Sequence, residues 1–228
     1  MAEGRKQSEQ RLSILVPGVG SSYGNGWRQL WKYFLELFLI GIIGFVIGIP
    51  SGMSGWSKGA EVPFLGLFGA VYTILLVWPV NYGVSFSYLK AARGDRLEIK
   101  NMFEAFQSYW NAVLAALLVT VIVIIGFILL IVPGIIFACK LAFTPYLVVD
   151  RKMEVIEAVK TSWNMTNGHA GKVFLIGLLA VPICIAGLIC FGIGIILSIM
   201  WISMAFASLY YAVSLSNEAS AQEGEPVT

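Results

Sequence analysis

Three polar side chains stand where an otherwise apolar chain has little use for them: Lys140, Asn81 and Glu36. Lys140 interrupts LLIVPGIIFACKLAFTPYLVV, the run from Leu129 to Val149 that leads into Asp150. If that run crosses a bilayer, a rise of about 1.5 Å per residue puts the lysine roughly 15 Å from the edge. An ammonium at such depth costs about 2.5–3.5 kcal/mol and faces a bundle interior or a wet cavity, so Lys140 needs a polar neighbour. Asn81, a little ahead of Lys90, falls at a similar depth, and its carboxamide oxygen can accept from the ammonium. Glu36 is the carboxylate of the first apolar run, four residues past Lys32, a spacing that suits a surface pair with Lys32 better than a reach to Lys140. Lys140, Asn81 and Glu36 therefore outline a candidate intramembrane polar site. Its chemistry is a clasp between the second and fourth spans, or a contact to a solute, a proton or a lipid headgroup. A short or re-entrant fourth run, with the lysine nearer water, fits the same residues.

Other residue types narrow the choice. The single histidine, His169, and the lack of paired carboxylates in the apolar runs leave no catalytic constellation and no metal-ligand set, and no cofactor is expected. His169 sits in Asn167-Gly168-His169-Ala170-Gly171-Lys172, which reads as a joint ahead of a span. Gly18, Gly20, Gly24 and Gly26 fit neither phosphate-loop spacing, and no strand precedes them. Cys139, Cys184 and Cys190 all lie in apolar runs and read as small buried hydrophobes.

The elements that must position these groups follow from composition. The chain is 58% hydrophobic and 12% charged, about half the charge of an ordinary soluble domain. No Asp, Glu, Lys, Arg or His occurs in Asn111–Cys139 or in Val173–Asn217. Since about 20 apolar residues span a bilayer, the second of these runs is long enough for two crossings. The expected fold is an all-α polytopic membrane protein of six transmembrane helices. The crossings lie near Trp31–Ile49, Phe64–Leu89, Trp110–Val132, Ile135–Val149, Val173–Leu188 and Ile193–Leu215. Pro50-Ser51-Gly52, Pro133-Gly134 and Gly192–Gly194 are the expected reversals. The organisation reads as an N-terminal arm and interfacial helix (1–30), a transmembrane domain (31–215) and an acidic, disordered tail (216–228).

Basic residues set an orientation. Arg5, Lys6, Arg11, Arg28 and Lys32 precede span one; Lys90, Arg93, Arg96 and Lys100 follow span two; Arg151, Lys152, Lys160 and Lys172 follow span four. The other side has Lys58 alone, in the longer loop Ser51–Pro63 with Trp56 and Glu61. The positive-inside rule then places both termini in the cytoplasm.

Each segment entering a pair of spans carries an amphipathic stripe: Tyr23, Trp27, Leu30, Trp31 and Phe34; Ile99, Met102, Phe103, Phe106 and Trp110; Met153, Ile156, Val159 and Trp163. The last two share the pattern EAxxxxWN, 53 residues apart. Three units are expected, each an interfacial helix followed by a two-helix hairpin, with Trp27, Trp31, Trp110 and Trp163 as interfacial anchors. Gly41, Gly44 and Gly48 mark a face of span one expected to pack closely on span two.

Val132-Pro133-Gly134-Ile135-Ile136, Lys140, Pro145-Tyr146 and Asp150, then Ala158, Ser162, Thr166 and Gly168-His169, resemble a pattern in bacterial multi-pass membrane families of unknown function. Those families are related to the membrane domain fused to some glycerophosphodiester phosphodiesterases. The resemblance covers about Phe127 to Leu175 and implies a six-helix domain in the bacterial cytoplasmic (inner) membrane. The phosphodiesterase metal site has no counterpart here. The expected function is non-enzymatic, as a scaffold or accessory subunit of a membrane assembly, with membrane lipids and other membrane subunits as partners and no nucleic acid. The competing expectation is a small-solute or lipid-handling transporter built around Lys140.

Overall fold

In the computed structural model, residues 17–56, 63–189 and 193–223 are described, and they are almost entirely helical, with no strand among them. Lys58, Glu61, Cys190, Gly192 and the arm residues Arg5, Lys6 and Arg11 lie outside the described residues. Five helical stretches are long and apolar enough to cross a membrane: Leu67–Arg93, Ile99–Leu129, Ile131–Asp150, Ala170–Ile189 and Gly194–Glu218. A sixth comes from a bent pair. Helix α1 (Val19–Lys32) meets α2 (Phe34–Trp56) at 93° across Tyr33. The chain is a multi-pass membrane protein by length and composition of its helices.

The second crossing is helix α3 (Pro63–Tyr72), a π-helical turn (Thr73–Val77) and α4 (Trp78–Arg93). Pro79 explains the widened turn. It has no N–H to give the carbonyl of Leu75, four residues back. The ladder widens so that Trp78 N–H reaches Thr73 O, and the Tyr109 hydroxyl donates to the stranded Leu75 oxygen at 2.8 Å. Gly94, in the left-handed region at φ 79°, ends α4, and its N–H returns to Ala91 O.

A 3₁₀-helical segment (Ile99–Ser108) leads into α5 (Tyr109–Leu129). Its start is fixed by reciprocal bonds between Glu98 and Asn101. The chain reverses at Leu130, which is extended, into α6 (Ile131–Leu141) and then, across Ala142-Phe143, into α7 (Thr144–Asp150). Helix α8 (Val155–Met165), a joint containing Gly168 at φ 77°, α9 (Ala170–Ile189) and α10 (Ile193–Glu223) complete the path.

Several boundaries differ from expectation. Pro50-Ser51-Gly52 does not close the first span, since α2 runs through Pro50 to Trp56; membrane helices tolerate an internal proline, as α9 does at Pro182. The reversal before α6 is Leu130, and Pro133-Gly134 falls in the first helical turn, where a missing N–H costs nothing. Helix α10 continues to Glu223, beyond the start of the expected tail.

Sequential spans pack on one another, α2 on α3, α5 on α6 and α9 on α10. The amphipathic segments pack elsewhere: α1 lies on α10, the segment 99–108 on α4, and α8 on α5, α6 and α7. Burial is concentrated at one end. Phe86–Leu89, Ala91 and Ala92 of α4, Tyr146–Val149 of α7 and much of Met204–Val213 of α10 are buried, whereas Ile128 to Val132 at the opposite end are 65–78% exposed. Such an apolar wall is stable only against lipid.

The close helix approaches are not at the expected glycines. Gly41 and Gly48 have open space where a Cβ would point, and Gly44 meets only Val84 Cγ2 at 3.5 Å. The tight contacts are Gly83 against the Met102 carbonyl, Gly126 against Gly134, and Gly187 against Gly194 and Ser198. Spacing alone did not find the tight approaches: of the spaced glycines of span one, only Gly44 meets span two, in ordinary contact with Val84.

Candidate functional site

The polar groups of the packed end converge where α4, α7 and α10 meet. Arg93, the last residue of α4, donates both terminal nitrogens to the two carboxylate oxygens of Asp150, at 2.6 Å each. Asp150 ends α7 and also accepts from Tyr210 Oη of α10 at 3.3 Å. The fork geometry makes this a charge-assisted, bidentate pair, and its side chains are only 22% and 10% exposed. Apolar rings enclose it. Tyr146 stacks on Tyr210 at 4.9 Å, Phe143 meets the same ring edge-on at 5.5 Å, and Arg93 lies over Tyr211 at 5.5 Å. Gly94 terminates α4 immediately after Arg93, and Tyr33 Oη binds the Gly94 carbonyl at 2.9 Å, which ties the clamp to the α1–α2 bend.

A second polar link joins α1 to the same helices. Asn25 Nδ2 donates to Ala92 O at 3.1 Å and to Ser208 Oγ at 3.0 Å. A third binds the segment 99–108 to α4. Lys90 Nζ and Asn101 Nδ2 both donate to Glu104 Oε1, at 2.8 and 2.6 Å.

Lys140 is not clasped to Asn81. Its ammonium donates to Asn167 Oδ1 in the α8–α9 joint and lies 5.3 Å over the Trp163 ring. Its carbonyl accepts from Ser162 Oγ at 2.9 Å and lies 3.1 Å from Thr166 Oγ1, whose single proton is shared with the Ser162 carbonyl at 2.8 Å and the Trp163 carbonyl at 3.0 Å. That carbonyl is free because α6 ends at Leu141, before the proline-containing turn of α7. The break in the fourth span thus creates the acceptor, and the last turn of α8 supplies the donors.

Asn81 is exposed in a cleft of about 310 Å³ between α4, α5 and α6, near Thr120 and Leu141. Glu36 is half-buried in the first turn of α2. Among the described residues, no hydrogen bond or ion pair joins Glu36 to Lys32 or either Asn81 or Glu36 to Lys140; Lys32 instead lies over the Tyr33 ring at 4.9 Å. The three residues of the expected polar site are therefore separate. Trp27, Trp31, Trp110 and Trp163 are all exposed, from 37% at Trp163 to 66% at Trp110. Trp27 also packs edge-on against Trp201 at 4.9 Å, and Trp163 against Phe137 at 5.8 Å.

The Arg93–Asp150 pair carried a signal in the sequence: opposite charges close two apolar runs at the same end. Both residues had weight there only as loop charges or motif letters. Tyr210 carried none, since a tyrosine within an apolar run looks like any other large side chain.

The joint makes a quantitative expectation. Lys140→Met removes the exposed bond to Asn167 and the contact to Trp163, each worth about 0.5–1 kcal/mol at a partly exposed site, but leaves the 140 carbonyl its hydroxyl partners. Ser162→Ala combined with Thr166→Val removes those buried hydroxyls, at about 1 kcal/mol each or more. Thermal melts in detergent are expected to rank the double variant below Lys140→Met. The reverse order would mean that the ammonium, not the backbone, holds the joint.

Comparison of the chain with protein-family models, with curated proteins and with solved structures gave no match.

Proposed function

We propose that this chain is a non-enzymatic integral membrane protein that acts as a scaffold or accessory subunit of a membrane assembly. The observation that carries the reading is how its polar groups are used. Arg93, Asp150, Tyr210, Asn25, Ser208, Lys90 and Glu104 all bond within the chain, at the end where three spans meet. At the opposite end, by contrast, Ile128 to Val132 expose an apolar wall. Closed internal pairing with an open apolar exterior suits a rigid body that other membrane helices pack against.

The contacts support a threefold design. Unit one is α1 with α2–α4, unit two is 99–108 with α5–α7, and unit three is α8–α10, each a surface segment followed by a hairpin. The surface segment of each unit lies on the second span of the unit before it, and α1 closes the ring on α10. The Asn25–Ser208, Glu104–Lys90 and Ser162–Lys140 bonds recur at those three junctions. The basic flanks then face the cytoplasm with both termini inside, and the bacterial inner membrane is the location that the resemblance to multi-pass families favours.

The transporter reading puts Lys140 and Asn81, with or without Glu36, around one central cavity. Lys140 instead turns towards Trp163 and Asn167, which weighs against it.

Two measurements test the proposal. The tagged full chain, extracted from its native membrane in mild detergent, is expected to bring a defined membrane subunit in constant proportion; elution as a lone species would defeat the scaffold reading. Single cysteines at 95 and 155, in a background lacking the native three, should resist an impermeant maleimide in intact cells, while one at 56 reacts. The opposite pattern would invert the orientation.

A further inference from the structure

The clefts around Trp27 and between α6 and α9 are walled almost wholly by apolar atoms. The cleft of about 310 Å³ between α4, α5 and α6 is different, because polar atoms form part of its wall. Trp78, Asn81 and Tyr82 of α4 line it beside Thr120 of α5. Among the described residues, no hydrogen bond engages any of these four side chains. Elsewhere the chain satisfies such groups: the hydroxyls of Tyr23, Tyr72 and Tyr109 and the indole N–H of Trp201 each reach a backbone carbonyl. Unmade hydrogen bonds are costly where water is excluded, so four such side chains around one cleft point to an occupant.

The cleft lies deep. Asn81 is twelve residues before Arg93, about 18 Å along α4 at 1.5 Å per residue. Thr120 is eleven residues past Tyr109, about 16 Å along α5 by the same rise. Both therefore sit near the middle of a hydrocarbon layer about 30 Å thick. Asn81 is exposed there, so its carboxamide is open to whatever enters from the lipid. Ala116, Ala138 and Ala142 keep the α5 and α6 walls low, which leaves room for a flat ring beside the Trp78 and Tyr82 rings of α4.

We infer that this cleft binds the head ring of a lipid-soluble quinone, its carbonyl oxygens accepting from Asn81 and Thr120 and its tail lying in the lipid. Depth and wall chemistry together select the occupant. No charged side chain lines the cleft, and a charged group is costly at this depth, so the occupant is neutral. The indole N–H only donates and the carboxamide brings two donor hydrogens, so the occupant brings acceptors. The volume is at the low end of the small-ligand range, about 300–1,000 Å³. It takes one ring, not a helix or a phospholipid, whose ester carbonyls stay near the headgroups. A quinone is neutral, flat and acceptor-only, and it dissolves in the layer where the cleft lies. The inference is independent of whether the protein is a scaffold.

The test is equilibrium binding of a tritiated decyl-substituted benzoquinone to the full chain in detergent, with decylbenzene as the probe that keeps ring and tail but has no carbonyl. Wild type is expected to hold the quinone roughly ten-fold tighter, the effect of one or two hydrogen bonds. Asn81→Leu keeps the side-chain size and loses the amide. It should bring the two probes level without lowering the melting temperature, since it leaves no partner stranded. Ala138→Leu, at an exposed position on α6, narrows the cleft with a good helix former and should weaken both probes. Equal affinity of wild type for the two probes would overturn the site. So would a quinone preference that survives Asn81→Leu, a fall in that variant's melting temperature, or unchanged binding in Ala138→Leu. A wild type that is dimeric in detergent but monomeric as Asn81→Leu would assign the carboxamide to a second copy and overturn the quinone reading.

Discussion

Asp150→Asn is expected to destabilise the protein by about 3 kcal/mol, the low end for removing one partner of a buried ion pair. The reason lies in what remains. Arg93 keeps its charge at a position only 22% exposed, enclosed by Tyr211 and the end of α4, and an amide of the same shape can accept but cannot neutralise. The low end applies because part of the guanidinium still reaches solvent. For a chain of this length the loss corresponds to a fall of about 10 °C in melting temperature. A double-mutant cycle isolates the pair. Arg93→Met alone should cost a similar amount by stranding the carboxylate, and Arg93→Met with Asp150→Leu should recover most of the loss, because apolar replacement of a buried pair is often neutral. Melts followed by helical circular dichroism in detergent supply the numbers. If Asp150→Asn melted with wild type, or if the single effects simply added, the clamp would be incidental to stability.

The crossings were legible because composition in a membrane is a coarse, strong signal. Val173–Leu188 and Ala170–Ile189 differ by a few residues, as do Trp110–Val132 and Tyr109–Leu129. The stripe from Tyr23 to Phe34 likewise marked a separate helix, which meets α2 at 93°. Less visible was local geometry. Over ten residues, periods of 3.0 and 3.6 are hard to separate, so the stripe Ile99–Trp110 gave no hint that the segment before Tyr109 is 3₁₀. Pro79 sets the π-helical turn, but the hydroxyl that satisfies the carbonyl it strands is 34 residues away in the chain, Tyr109 on Leu75 O. The partner of Lys140 escaped for a related reason. Depth counted along one helix assumes that its neighbours are other spans, whereas the last turn of α8 packs back against α6. The polar clusters at the packed end use backbone carbonyls and tyrosine hydroxyls as often as charges, and neither stands out by residue type.

Gly83 should be the glycine least tolerant of change, more so than any in the spaced stripe of span one. A Cβ built there would lie 1.6 Å from the Met102 carbonyl oxygen and 2.6 Å from its carbon. Both are backbone atoms, and Met102 is fully buried, so no side-chain rotation relieves the clash. Gly83→Ala must therefore push the segment 99–108 away from α4. That movement also strains the Lys90–Glu104 and Asn101–Glu104 bonds beside it. Overpacking in a tight interior costs about 1–3 kcal/mol and sometimes more, and a backbone-to-backbone collision with a polar link nearby belongs at the upper end. Gly41→Ala is the control. Its Cβ meets nothing within 4 Å, and alanine gains roughly 0.5–1 kcal/mol over glycine within a helix. The two substitutions are chemically identical and both fall in spans, yet their expected effects have opposite sign. Folded yield and melting temperature of the pair, measured side by side in one detergent, decide the matter. A Gly83→Ala protein as abundant and as stable as wild type would mean that 99–108 does not dock on α4 at Met102, and the junction between the first two units would lose its basis.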